Sequence, residues 1–365
     1  MYQALYRKYR PKSFDQIVGQ DHIVQTLRNQ IKKGQISHAY LFTGTRGTGK
    51  TTTAKIFAKA INCLNPQNGS PCCECSVCKA LSEENNVDII EIDAASNNRV
   101  DEIRDIREKV KYLPVNAKYK VYIVDEVHML TESAFNALLK TLEEPPSHIV
   151  FILATTEVHK LPATILSRCM RFDFHLINEE VLINQLKQIF KNENINCDED
   201  SYRLIAKAAE GSDRDMLSIA DCLVAYSQGN ITSELVMRVL GNTNHDTYLK
   251  ICKSIHDKDV STAFTILDEA QKSGKNMSVI AKDITNCFRN LLVALTCENA
   301  NKILSFTNET FNKYKESAKI FETQELMEYM KVFSQIEAEL KYAISPKTLI
   351  ETAVVSCMTD AQKKN

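Results

Sequence analysis

Gly44-Thr45-Arg46-Gly47-Thr48-Gly49-Lys50-Thr51 matches the phosphate-binding pattern G-x-x-x-x-G-K-[ST] in full. An apolar run, His38-Ala39-Tyr40-Leu41-Phe42, precedes it, and a helical pattern from Thr51 toward Ile61 follows. In that strand, loop, helix setting the glycines let the backbone curl so that its N–H groups point at phosphates. The helix N-terminus then adds its dipole to the same charge. Lys50 is placed to contact β- and γ-phosphates and Thr51 to hold Mg²⁺. A Gly-rich turn that fits the pattern by chance is the competing explanation, and the flanking strand and helix weigh against it. The whole segment from Gly44 to Thr52 is therefore expected to bind a nucleotide, which the loop alone does not identify further.

Outward from this loop, short apolar runs alternate with helical patterns as far as Phe174, the signature of a parallel sheet flanked by helices. The strand candidates are 38–42, 88–92, 120–124, 149–153 and 170–174. The third ends in Asp125-Glu126, two carboxylates at a strand terminus, where ligands of such sheets converge. There an Asp can help hold Mg²⁺ and the adjacent Glu can polarise an attacking water. After about residue 176 the strands are expected to stop. Amphipathic helices follow around 179–194, 200–210, 214–227 and 232–240, and the polar breaker Gly241-Asn242-Thr243-Asn244 leads to further helices at 260–273, 277–296, 323–343 and 346–358. The expected organisation is an α/β P-loop domain over 1–176, a small helical domain over 177–241 and an all-helical domain over 242–365.

Cys63, Cys72, Cys75 and Cys78 combine a C-x₂-C-x₂-C run with a cysteine nine residues upstream. Four thiolates can close a tetrahedral zinc site with no position left open for catalysis, so a zinc here is structural. Cys73 is a fifth candidate that competes with its neighbour Cys72, and reduced thiols without metal are the plainer alternative.

Composition agrees with a folded, soluble chain: 44% hydrophobic and 25% charged residues, with 10 Gly and 8 Pro. The net charge of -1 hides an asymmetry, since residues 1–60 carry eleven Lys or Arg against Asp15 and Asp21 alone. Such a block favours phosphate-bearing partners, or is simply a solvated surface. The N-terminus has no apolar core of a signal peptide and no run of about 18 apolar residues occurs, so a cytoplasmic protein with no membrane partner is expected.

With the cysteine module lying between phosphate loop and acid pair, the chain resembles the gamma/tau subunits of the bacterial DNA polymerase III clamp loader, a family of AAA+ ATPases. Tyr9-Arg10-Pro11, Phe14, Val18-Gly19-Gln20, the stretch from Asp125 to Leu130, the helix from Phe135 to Pro146, Leu153-Ala154-Thr155-Thr156 and Ser167-Arg168-Cys169 are similar to that family's motifs. The resemblance implies an AAA+ domain with a zinc module at 63–78, a helical lid and a helical collar. It also implies an ATP hydrolase acting within a DNA-directed DNA polymerase holoenzyme.

Residue by residue, the resemblance implies that Tyr9, Arg10, Pro11 and Val18 pack near adenine and ribose. Thr155 is implied as a sensor near the γ-phosphate, Arg168 as an arginine finger reaching a neighbouring subunit's ATP, and Arg214 as a second sensor coupling the lid to nucleotide. It implies delta and delta-prime type subunits, further copies of the chain, a sliding clamp and primed duplex DNA as partners. Arg99, Arg104 and Lys140 are the implied DNA contacts, although Asp101, Glu102, Asp105 and Glu108 nearby also allow a self-paired charged face. An extension for helicase or polymerase binding, present in the family's longer products, is not expected after the third domain. Two rivals are a non-hydrolysing scaffold, opposed by Lys50, Thr51 and Glu126, and a different AAA+ remodeller, opposed by the cysteine module and Ser-Arg-Cys.

Overall fold

The computed structural model describes residues 3–83, 86–96, 108–227, 229–240, 245–272, 275–304, 306 and 308–359. It comprises two compact units, Met1–Leu240 and Gly241–Asn365.

The first unit is built on five parallel strands, β1 (Ala39–Thr43), β2 (Ile89–Asp93), β3 (Lys120–Asp125), β4 (Ile149–Thr155) and β5 (Met170–Asp173), in the order β2-β3-β4-β1-β5. β1 and β4 are buried along their whole length, as is β3 up to Asp125, which accounts for their continuous Val, Ile, Leu and Phe runs. Edge strand β5 is exposed at three of its four residues. The register pairs Thr43 with both Thr155 and Asp173, and Asp93 with Asp125. All five strands therefore end in polar residues along one rim of the sheet, where the chemistry collects.

One face of the sheet packs Tyr40, Phe42 and Ile152 against Phe57 of the Lys50–Ala60 helix and Leu27 of the Asp21–Lys33 helix. The other packs Tyr122, Val124 and Phe151 against Phe135 and Leu138 of the Glu132–Glu143 helix. A separate core follows from Ile177, formed by Leu182, Leu186, Phe190, Ile205, Met216 and Leu223, and Leu5 from the N-terminus joins it. The Leu5 N–H donates to both carboxylate oxygens of Asp221, each at 2.9 Å. Strands do not stop at residue 176 as expected: Asn196–Cys197 and Asn230–Ile231 form a short parallel pair. Two residues are too few to show an alternation, so this pair carried no sequence signal.

In the second unit the Met277–Thr296 and Thr323–Glu339 helices pack on each other through Ile284, Phe288, Leu326 and Phe333. Around them lie His245–His256, Val260–Lys272, Asn308–Ala318 and Pro346–Thr359. No described helix is long and apolar enough to cross a membrane.

Candidate active site

The phosphate loop turns off β1 with Gly44, Gly47 and Gly49 at φ of 142°, 78° and 97°, values that L side chains rarely adopt. Gly47 is fixed by contact as well. A Cβ there would lie 1.8 Å from Ser212 Oγ, so glycine lets the Asp213–Tyr226 helix dock its N-terminus onto the loop. Lys50 is buried, and its Nζ donates to the carbonyls of Gly44 at 2.8 Å and Thr45 at 2.7 Å. Burial draws the Lys50 amine below its usual range, partly offset by the Glu126 and Asp125 carboxylates.

Thr51 Oγ1 donates to Asp125 Oδ2 at 2.7 Å. A hydroxyl and a carboxylate held this close, both hard oxygen donors, fit Mg²⁺. Glu126 adopts a left-handed backbone, φ 47° and ψ 45°, uncommon for a residue with a side chain and typical of functional turns. Its Oε2 accepts from Thr156 Oγ1 at 3.0 Å and from the Thr156 N–H at 3.3 Å. His128 Nδ1 lies 3.4 Å from the same oxygen and shares a 3.0 Å hydrogen bond with Thr155 Oγ1. Thr155 also accepts from the Glu157 N–H at 3.0 Å. The predicted residues Lys50, Thr51, Asp125, Glu126 and Thr155 thus share one rim, and Thr156 and His128 join them.

Beside the loop a narrow cleft open to solvent is lined by Pro11, Val18, Thr48, Gly49 and Thr52, together with Ile17, Thr53, Ile177 and Asp213. Arg10 Nε donates to Thr52 Oγ1 at 3.2 Å. Tyr9 is not among the lining residues; its hydroxyl donates to Glu193, and burial and that carboxylate push it up to about 12. Thr45 and Arg46 are exposed on the outer turn of the loop. Gln20, fully buried, bonds the Thr48 and His175 carbonyls and accepts from the His175 N–H, tying the loop to the chain leaving β5.

The sulfurs of Cys63, Cys72, Cys75 and Cys78 all lie within 4.8 Å of one another. Tetrahedral zinc with bonds near 2.3 Å requires sulfurs ~3.8 Å apart, and Cys63–Cys72 at 3.4 Å and Cys72–Cys78 at 3.9 Å fit. N–H groups of Cys72, Cys75 and Cys78 donate to the sulfurs of Cys63, Cys72 and Cys75 at 3.3, 3.4 and 3.4 Å. Backbone N–H groups lower the Cys72 and Cys75 thiols, the latter to about 6 with the Cys78 N–H leading, whereas burial raises those of Cys63 and Cys78. Cys73, at φ 61°, turns outward to the Lys12 and Pro71 carbonyls.

Comparison with known proteins shows the family. Residues 19–178 match the family described as "DNA polymerase III, delta subunit", residues 182–229 the "DNA polymerase III clamp loader subunit, ATPase lid domain", and residues 231–364 "DNA polymerase III subunits gamma and tau domain III". The chain is 36% identical to DNA polymerase III subunit gamma of Buchnera aphidicola from Schizaphis graminum, over 99% of each chain. The chain belongs to the DNA polymerase III gamma/tau family. It is also 45% identical over 364 residues to subunit tau of Bacillus subtilis, covering 99% of this chain and 64% of that protein. Of that longer relative it therefore spans less than two thirds.

Of the remaining gamma/tau-like residues, Arg214 lies in the first turn of the helix docked on Gly47, whereas Arg168 and Lys140 make no hydrogen bond or ion pair with the loop or its acid pair among the described residues. Arg168 pairs with Glu143 at 2.8 Å and donates to the Thr164 carbonyl at 2.8 Å and Ser167 Oγ at 3.3 Å. Arg214 lies at the start of the lid helix with its guanidinium 5.9 Å from the Tyr6 ring centre. Lys140 is exposed on the Glu132–Glu143 helix. Arg99 and Arg104 lie outside the described residues.

Proposed function

We propose that this chain binds ATP with Mg²⁺ and hydrolyses it as the motor subunit of a DNA polymerase III clamp loader, which opens a sliding clamp and loads it onto primed DNA. The observation that carries the chemistry is the joined pair Thr51–Asp125 beside Glu126 and the loop lysine. The Lys50 amine trades its loop carbonyls for β- and γ-phosphate oxygens. Thr51 and Asp125 would hold Mg²⁺, which would supply charge neutralisation to those oxygens. Glu126 orients and deprotonates the attacking water, while Thr156 and His128 fix its carboxylate and Thr155 reports the γ-phosphate. Arg168 leaves Glu143 to stabilise charge in the ATP site of a neighbouring subunit, and Arg214 links the lid to the nucleotide. Arg99, Arg104 and Lys140 are the proposed contacts to duplex phosphates. The four cysteines hold a structural Zn²⁺, and the helices beyond residue 241 join copies to delta and delta-prime type subunits.

The test is ATP hydrolysis by the assembled complex with and without clamp and primed DNA. Glu126→Gln should keep ATP bound and lose hydrolysis, whereas Lys50→Ala should lose productive binding. Hydrolysis at the parental rate by Glu126→Gln removes Glu126 from the role of base. A rate indifferent to clamp and DNA removes the clamp-loader reading.

A further inference from the structure

Asp213 is the one acidic residue among those lining the cleft beside the phosphate loop. It follows Ser212, whose side chain meets Gly47 and caps the lid helix, and precedes Arg214, whose Cβ lies near the same glycine. Successive residues of a helix point about 100° apart, so Ser212 touches the loop while Asp213 reaches the cleft. One carboxylate oxygen, Oδ1, is buried and has no partner among the described residues. Gln185 hydrogen-bonds the carboxyl group, and its own Oε1 is likewise buried and without a partner among the described residues. Buried polar atoms are nearly always paired, and an unpaired buried carboxylate oxygen is costly enough to call for a reason.

We propose that Asp213 selects the base of the nucleotide by accepting a hydrogen bond from the 6-amino group of adenine. This rests on the reading of the cleft as an ATP site. Pro11, Ile17, Val18 and Ile177 give the cleft apolar walls suited to the faces of a flat ring. Thr48, Gly49, Thr52 and Thr53 connect it to the start of the helix that receives the phosphates. Asp213 lines the cleft together with these apolar walls rather than standing with Asp125 and Glu126 on the strand rim, which assigns it to the base end. There an acceptor matches the amino group of adenine and opposes the 6-oxo group of hypoxanthine or guanine. A site built around a hydrogen bond rejects the analogue that cannot make it far more strongly than a purely apolar pocket does.

The test is equilibrium binding of ATP, ITP and dATP to the full-length chain and to Asp213→Asn. ATP and ITP differ in the base only at position 6 and the N1 protonation that accompanies it, while dATP lacks only the 2′-hydroxyl. The parent should prefer ATP to ITP by roughly 10- to 100-fold, the range for a hydrogen bond to a charged group. Asn, nearly isosteric and able to donate, should weaken ATP, strengthen ITP and bring the two within about fivefold. An unchanged ATP to ITP ratio in Asp213→Asn overturns the proposal. So does a collapse of ATP against dATP discrimination with ATP against ITP intact, which moves the carboxylate to the ribose. If the parent binds no nucleoside triphosphate, the ATP reading itself fails and takes this one with it.

Discussion

Replacing Asp213 with Asn should make the protein more stable, and increasingly so as pH rises. Burial pushes this carboxyl up to about 6 from 3.8, the Gln185 hydrogen bond acting in the opposite direction. Because the folded value lies above the unfolded one, the proton stabilises the fold. That stability is complete below about pH 4 and is lost as pH rises through the folded value. Two pK units at 1.36 kcal/mol each give a penalty of about 3 kcal/mol above pH 7, with about half of it already present at pH 5. Asn carries no charge to desolvate, so the variant should gain about 3 kcal/mol at pH 8 and about half that at pH 5. For a unit of this size 1 kcal/mol moves the midpoint by about 2–4 °C, so roughly 6–12 °C separates the two proteins at pH 8. The assay is thermal unfolding of parent and variant at both pH values, with the difference between them cancelling every other titration. A variant whose advantage does not change with pH, or that is less stable at pH 8, refutes the idea that an ionised buried carboxylate is being carried at a cost.

Three further outcomes are expected. Purified protein should contain about one zinc per chain, and Cys75→Ser should lower thermal stability far more than ATP affinity; protein prepared without chelator and found free of zinc by metal analysis counts against the cluster as a metal site. Arg168→Ala should bind ATP normally as a single chain yet lose roughly a thousandfold in DNA-stimulated hydrolysis once assembled. Mixing it with Lys50→Ala should restore some activity by pairing an intact Lys50 with an intact Arg168, and no recovery in demonstrably mixed complexes refutes action across the interface. Gly47→Ala should weaken nucleotide binding at least tenfold by driving a methyl into Ser212, and Ser212→Ala on top of it should return part of the loss, in titrations with a fluorescent nucleotide.

What the sequence made legible was what neighbouring residues decide together. The phosphate loop, its strand and its helix lie within one stretch, and the apolar runs of β1, β3 and β4 are long enough to show burial on both faces. The sequence left Cys72 and Cys73 competing, and the left-handed backbone of Cys73 separates them by turning its sulfur away. Thr156 was hidden for a topological reason, as was the contact of His128 with Thr155. Thr156 meets Glu126, and Thr155 meets His128, because β4 lies directly beside β3, and nothing in a linear reading fixes that neighbour. Asp213 was hidden for another. An acidic residue in the first turn of a helix is ordinarily a partner for the dipole, so its place in a cleft emerges only once the helix is docked on the loop. Tyr9, expected near the nucleotide, is not among the residues lining the cleft, and its hydroxyl donates to Glu193 on the lid.

The N-terminal segment and the phosphate loop both connect the cleft to the lid core. The N-terminal segment joins the lid core through Leu5, hydrogen-bonds Asp221, and pairs Lys8 and Tyr9 with Glu193. Two positions further on, Pro11 lines the cleft. The loop reaches the lid independently through Gly47 and Ser212, and Gln20 bonds the loop's Thr48 to the strand exit that leads into Ile177. On the proposed reading, a change of phosphate state at Lys50 would meet the lid by two routes, one through the loop and one through the segment that lines the cleft. With Gly47 already at the contact limit, the loop has no room to move toward Ser212 without moving the lid helix itself. Close-packed contacts transmit such a displacement rather than absorb it. If nucleotide fills the cleft as proposed, the lid position is coupled to it by contact at Gly47 and by the shared cleft wall.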